Sequence, residues 1–180
     1  MISLAALAPY LERKLVAFSP AERFRYFVLL LQGAEYRLGR ENLLQTDCSG
    51  TICWPLFCMG IRVRMTAFQL FDRLFTQHVP IADLRDYWDH VYAVFYQKAG
   101  VISHVSPIVG RGVIFDAVEP AQPAQPKALQ PVMNWYLGSG YNLFFRELDW
   151  LAAREAAASV EYSWKSEADE MLKELVGGER

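Results

Sequence analysis

Residues 43–54 read LLQTDCSGTICW. An acidic residue, a thiol, a small hydroxyl residue and a glycine stand together at Asp47-Cys48-Ser49-Gly50, directly ahead of an apolar run. Such a tetrapeptide is either a turn that contains a buried thiol or a nucleophile placed at the start of a helix. The apolar run predicts a helix from about Ser49 to Met59, with Gly60 as its stop and Pro55 imposing a kink or an early end. Cys48 then faces the unpaired N–H groups and positive dipole end of that helix, which favour a thiolate over a thiol. Ser49 and Gly50 remove bulk from the turn, so a substrate carbonyl can approach both the sulfur and a backbone N–H.

The chain around this stretch has an ordinary globular composition. Its 180 residues are 53% apolar and 21% charged, enough for one domain whose core needs no staples. The net charge is −2, and no long Lys/Arg run supplies the footprint of a nucleic-acid binder. The longest apolar stretch, residues 51–61, is too short to span a bilayer, so no integral membrane segment is expected. The opening MISLAALAPYLERKLVAF lacks the basic start and long apolar core of a secretory signal. The expectation is synthesis in the cytoplasm, with action at the cell envelope requiring non-classical delivery.

The three cysteines, Cys48, Cys53 and Cys58, are an odd number and a poor disulfide framework. Their five-residue spacing turns successive thiols about 140° around a helix, so they do not converge on a metal. Cys53 and Cys58 read as small hydrophobes on a buried helix. No metal site and no organic cofactor is called for.

Elsewhere, FSPAERFRYFVLLLQG (18–33) carries a capping box at Ser19 and Glu22, a first-turn Pro20 and a closing Gly33. An earlier helix is expected over 3–16. RMTAFQLFDRLFTQ (64–77) reads as another helix, capped by Thr66 with Gln69 at the capping-box position. The rhythm then turns β-branched and aromatic in HVYAVFYQ (90–97) and SHVSPIVGRGVIFDAVEP (103–120), a strand and then a hairpin turning at Gly110-Arg111-Gly112. EPAQPAQPKALQP (119–131) reads as an extended, exposed connector. The two segments 142–159 and 159–178 read as helices. Helices, then strands, then helices argue for an α+β domain. Residues 1–130 form the domain in this reading. Residues 131–180 are a C-terminal helical extension packing on it, which either covers the cleft or makes a homodimer; Trp135, Trp150 and Trp164 read first as core residues and otherwise as apolar surface for the partner of a binding module.

A histidine follows Cys48 on the predicted hairpin, the chain order used by papain-like enzymes. If the hairpin is symmetric about Arg111, residue 104 pairs with 118 and residue 106 with 116. His104 and Asp116 then share a face as diagonal neighbours roughly 7–8 Å apart. An acceptor there would hold the imidazole in the tautomer that takes the cysteine proton. A slip of one residue would undo this. The blander reading makes His104 a half-buried strand side chain and Asp116 a strand-end cap. His78, at a helix end, and His90, ahead of a strand, are rival bases.

Taken together, EYRLG (35–39), TDCSG (46–50), RMTAFQ (64–69) and SHVSPIVGRGVIFDA (103–117) resemble the NlpC-type cysteine peptidases, papain-like hydrolases of bacterial cell-wall peptides. The resemblance spans about residues 33 to 120. It implies a papain-like fold in which a helical N-terminal half bearing Cys48 packs on an antiparallel sheet. It implies Cys48 as nucleophile, His104 as base, Asp116 as the third polar member and Tyr36 as a site-lining tyrosine. Asp47 and Ser49 flank the nucleophile in the oxyanion and substrate-lining region. The implied reaction is hydrolysis of amide bonds in peptidoglycan stem peptides, such as a γ-D-glutamyl-diamino-acid bond. Several positions depart from the pattern. Ser106-Pro107 replaces a usual Gly-Ile, Asp116 stands where His, Asn or Gln is commoner, no Gly-Asp pair precedes the histidine, and Pro55 interrupts the nucleophile helix. These departures keep two alternatives open: an acyltransferase or amidase with the same three residues, and a non-catalytic binding module.

Overall fold

The computed structural model describes residues 17–86, 88–118 and 122–159; the helices expected over 3–16 and 159–178, and Trp164, fall outside the described residues, apart from Ser159. The first helix, α1 (Pro20–Leu30), begins where Ser19 leaves helical geometry. The Ser19 hydroxyl accepts from Glu22 N–H at 3.2 Å while the Glu22 carboxylate accepts from Ser19 N–H at 2.7 Å. This reciprocal cap satisfies two otherwise orphaned donors. Ala21, Phe24 and Val28 form its buried stripe.

Two short parallel strands, β1 (Glu35–Tyr36) and β2 (Gln45–Thr46), lead into α2 (Gly50–Cys58). The expected early end of α2 does not occur: the helix runs on past Pro55 to Cys58. A proline inside a helix costs about 3 kcal/mol. Here Ile52, Cys53 and Leu56 are fully buried, and burial of several such side chains offsets that loss.

The next helix is also shaped by packing. Thr66 and Gln69 form the anticipated capping box, but α3 (Ala67–Gln69) widens at once into a π-turn over Leu70–Leu74. Phe75 N–H reaches back five residues to the Leu70 carbonyl at 2.9 Å, and Leu70 and Leu74 both point into the core.

A six-stranded antiparallel sheet follows, in the order β3 (Gln77–His78), β8 (Asn142–Glu147), β4 (Tyr92–Lys98), β5 (Val101–Gly110), β6 (Val113–Asp116), β7 (Gln125–Ala128). Strand β4 is buried on both faces, which is why its sequence is a nearly continuous apolar run. Ala93 and Phe95 enter a core shared with α1, α2 and α3. Tyr92, Val94 and Tyr96 enter a second core beneath α4 (Leu129–Gly138). The result is an α+β architecture of papain-like type.

Two segments differ from the sequence reading. The Pro- and Gln-rich connector contains β7, an edge strand whose Asp116↔Gln125 and Val113↔Ala128 register extends the hairpin. An edge strand needs hydrogen bonds on one side only, so Pro126 is tolerated and the composition hides the strand. Ala124 just ahead of it is buried and exchanges backbone hydrogen bonds with Gly33 and Ala34. The segment NLFFRE is likewise a strand, not a helix. Leu143 and Phe145 face the second core while Phe144 faces the first, a period of two. Strand β8 sits inside the sheet, so the chain after residue 130 contributes a structural strand as well as helices. The last described helix, α5 (Trp150–Ala158), is capped by Asp149, whose carboxylate accepts from Leu151 and Ala152 N–H. No helix among the described residues is long and apolar enough to cross a membrane.

Candidate active site

The turn that carries Cys48 is built around one carboxylate. Asp47 Oδ1 accepts from Ser49 Oγ and from Gly50 N–H, both at 2.7 Å. Its Oδ2 accepts from Gly39 N–H at 2.7 Å and from Arg64 Nη2 at 2.9 Å. Arg64 also donates to Ser49 Oγ at 2.8 Å and to the Met65 carbonyl at 2.9 Å, and its Nε pairs with Glu41. A side chain at Gly50 would meet Thr46 Oγ1 at 2.5 Å and the Arg40 carbonyl at 2.6 Å, so only glycine fits there. Both side chains are buried, and the Asp47 carboxylate, with four donors around it, fixes the nucleophile turn.

Cys48 itself lies two residues ahead of the first helical residue and is 9% exposed. Its carbonyl accepts from the Thr51 hydroxyl at 2.6 Å, which ties the turn to the helix. The other two thiols are of a different kind. Burial pushes Cys53 up to about 12 and Cys58 up to about 12, so both stay protonated near neutrality.

His104 comes from β5, opposite Tyr96 on β4. The register then skips to Gln97↔Ile102, leaving Ser103 unpaired as a bulge beside the histidine. The hairpin has the expected symmetry, with Ile108 opposite Ile114 and a further bulge at Gly110↔Val113. His104 and Asp116 therefore meet: His104 Nε2 lies 2.8 Å from Asp116 Oδ1. Ser106 Oγ donates to the same oxygen at 2.9 Å and lies 3.3 Å from the ring nitrogen. Lys127 Nζ, from β7, donates to Asp116 Oδ2 at 3.0 Å. The Cys48 thiol is a further side-chain partner of the ring.

The electrostatics follow from these contacts. Burial alone would lower the His104 pKa. The hydrogen bond to Asp116 and the adjoining Cys48 thiol outweigh that and raise it to about 9. Burial would raise Asp116, but His104 and Lys127 together hold its carboxyl below the usual carboxylate range. The site thus favours an imidazolium beside the Asp116 carboxylate.

Two tyrosines pack beside the ring. Tyr96 lies 5.0 Å from it, and Tyr136 stacks on it at 5.9 Å with 16° between planes. Beside Asp116 opens a pocket of about 500 Å³, walled in part by Lys127, Val132, Trp135 and Tyr136. Tyr36 pairs with Thr46 across β1 and β2, two residues from the nucleophile, and packs half-buried against the core that contains Cys48. The rival bases are elsewhere. His90 Nδ1 bonds Glu147 Oε1 at 2.5 Å and the ring stacks on Tyr92. His78 is exposed on the edge strand β3.

No family model and no curated protein matches the chain. Solved structures do. NlpC1 from Trichomonas vaginalis superposes with a TM-score of 0.56 at 19% identity, over 71% of this chain and 43% of that one. NlpC2 from the same organism gives 0.56 at 20%, over 71% and 46%. Rv1477 of Mycobacterium tuberculosis, described as a hypothetical invasion protein, gives 0.53 at 16%, over 73% and 63%. The chain therefore spans under half the length of the two NlpC proteins and under two thirds of Rv1477. At these identities the likeness establishes the fold, and the fold is NlpC-type and papain-like.

Proposed function

We propose that this chain is a thiol peptidase that hydrolyses amide bonds of peptidoglycan stem peptides through Cys48, His104 and Asp116. The observation that carries the reading is the line of contacts from the Cys48 thiol through the His104 ring to the Asp116 carboxylate, at the start of a helix. Geometry of that kind suits nucleophilic acyl transfer. His104 takes the thiol proton, and the sulfur attacks the amide carbonyl carbon. The oxyanion is met by the Cys48 N–H, which has no acceptor among the described residues, and by the Tyr36 hydroxyl. The imidazolium returns its proton to the leaving amine as the C–N bond breaks, leaving a thioester. His104 then deprotonates water, which attacks the thioester and releases the acid and the thiol. The substrate class rests on the resemblance of the four motifs to cell-wall peptidases.

Purified protein with Cys48 reduced should release new amines and carboxylates from stem peptides, read by mass spectrometry. No release would sink the substrate claim. Products formed with added amine acceptors would favour an acyltransferase instead. The non-catalytic alternative is separated by alkylation. Iodoacetamide should label Cys48 on the order of a hundredfold faster than Cys53 or Cys58, because those two remain thiols well above neutral pH. Equally slow labelling of all three would favour a binding module.

A further inference from the structure

Tyr136 lies outside the stretch that resembles the peptidases, on a helix with few inward-facing positions. In α4 its neighbours Trp135 and Leu137 face outward at 63% and 51% exposure, whereas Tyr136 is 6% exposed. That one inward aromatic is set over the His104 imidazole, nearly parallel to it at 5.9 Å. Tyr96 packs 4.1 Å from Tyr136 and 5.0 Å from the imidazole, so the three rings form one aromatic cluster with both tyrosines on the same side of the histidine. Other groups among the described residues also face the ring. Asp116 on β6 and Ser106 on β5 meet Nε2, Cys48 meets the ring from the turn before α2, and Lys127 on β7 acts through Asp116. Burial pushes the Tyr136 phenol up, so it stays neutral and offers the histidine an uncharged π face.

We propose that Tyr136 is a positioning residue for His104, whose π face holds the imidazole as the imidazolium oriented between Cys48 and Asp116. A cation within about 6 Å of an aromatic centroid is attracted to the negative ring face, and the neutral imidazole lacks that attraction. The stack therefore stabilises the charged state selectively. It also restrains rotation of the ring away from the line joining sulfur and carboxylate. The peptidase reading supplies the reaction this serves, but the inference concerns His104 and is tested without substrate.

The test is the titration of the three histidines by ring ¹³C and ¹⁵N chemical shifts, with His104 assigned by its loss in His104→Gln. Tyr136→Phe keeps the face and should leave the His104 midpoint unchanged. Tyr136→Leu keeps apolar bulk without the face, and should lower the midpoint by about half a pH unit or more. His90, on its separate Glu147 contact, should not move in either variant. Should the leucine variant fail to fold, pentafluorophenylalanine at position 136 keeps the ring shape, reverses its quadrupole and should lower the midpoint likewise. An unmoved midpoint in the folded leucine variant, or in the fluorinated protein if that one is needed, overturns the proposal. So does a phenylalanine variant that shifts as far as leucine. Midpoints that move as expected while the wild type shows no turnover would count against the peptidase reading and not against the stack.

Discussion

Replacing His104 with alanine should reduce stem-peptide turnover to background, and Asp116→Asn should lower it by about 10²- to 10⁴-fold. The asparagine effect is decided by the three groups around the carboxylate. Oδ1 serves His104 and Ser106, while Oδ2 serves the Lys127 ammonium. An amide has one acceptor oxygen and one NH2, so either orientation sets donor against donor. With the oxygen toward His104, the NH2 meets Lys127; with the oxygen toward Lys127, the NH2 meets the imidazole. Adding Lys127→Met should therefore restore part of the loss, since the amide is then free to turn its oxygen to the ring.

The pH profile gives this prediction a sign. His104 is raised from 6.5 to about 9, so its charged-state contribution is fully present below about 6.5 and is lost as pH rises through about 9. Wild-type turnover should fall on that alkaline limb. Asp116→Asn removes a negative partner of the ring, so the limb should move to lower pH. A limb that stays in place would show that the carboxylate only orients the ring and does not hold its proton.

How much of this was legible in the sequence depends on whether a feature is local. The Ser19–Glu22 and Thr66–Gln69 capping boxes are satisfied within four residues, and both formed as read. The hairpin register followed from Gly112, which takes φ +68° at the turn, and it brings residues 104 and 116 to one face. Strand β7 escaped notice because its Pro and Gln composition resembles a linker; its pairing with β6 is a tertiary fact. Lys127 could not be connected to Asp116 until that strand existed. Strand β8 was misread because LFFRELDWLAAREAAA runs a two-residue period into a helical one without a break. Tyr136 left no signal at all, since nothing in QPVMNWYLG indicates which aromatic will meet a histidine on β5. The Asp47 contact with Arg64 was hidden for the same reason: the partners lie 17 residues apart, and only the fold brings them together in a buried pair.

That buried pair carries the largest stability effect to be expected. Arg64→Met should destabilise the protein by about 3–5 kcal/mol, equivalent to a fall in Tm of about 6–20 °C. The Glu41 and Asp47 side chains are 1% and 3% exposed, and Arg64 bridges both. Methionine preserves much of the stem but takes the guanidinium away from both buried carboxylates. Arg64→Lys should lie between the two, because one ammonium cannot reach Glu41, Asp47, Ser49 and the Met65 carbonyl in the fork geometry of a guanidinium. Because Asp47 also fixes Ser49 and Gly50 N–H, the folded fraction of Arg64→Met should show slower Cys48 alkylation than the wild type. A melting point within a degree or two of wild type at neutral pH would mean that the two acids are solvated, and that the turn holding Cys48 is organised by something other than this network.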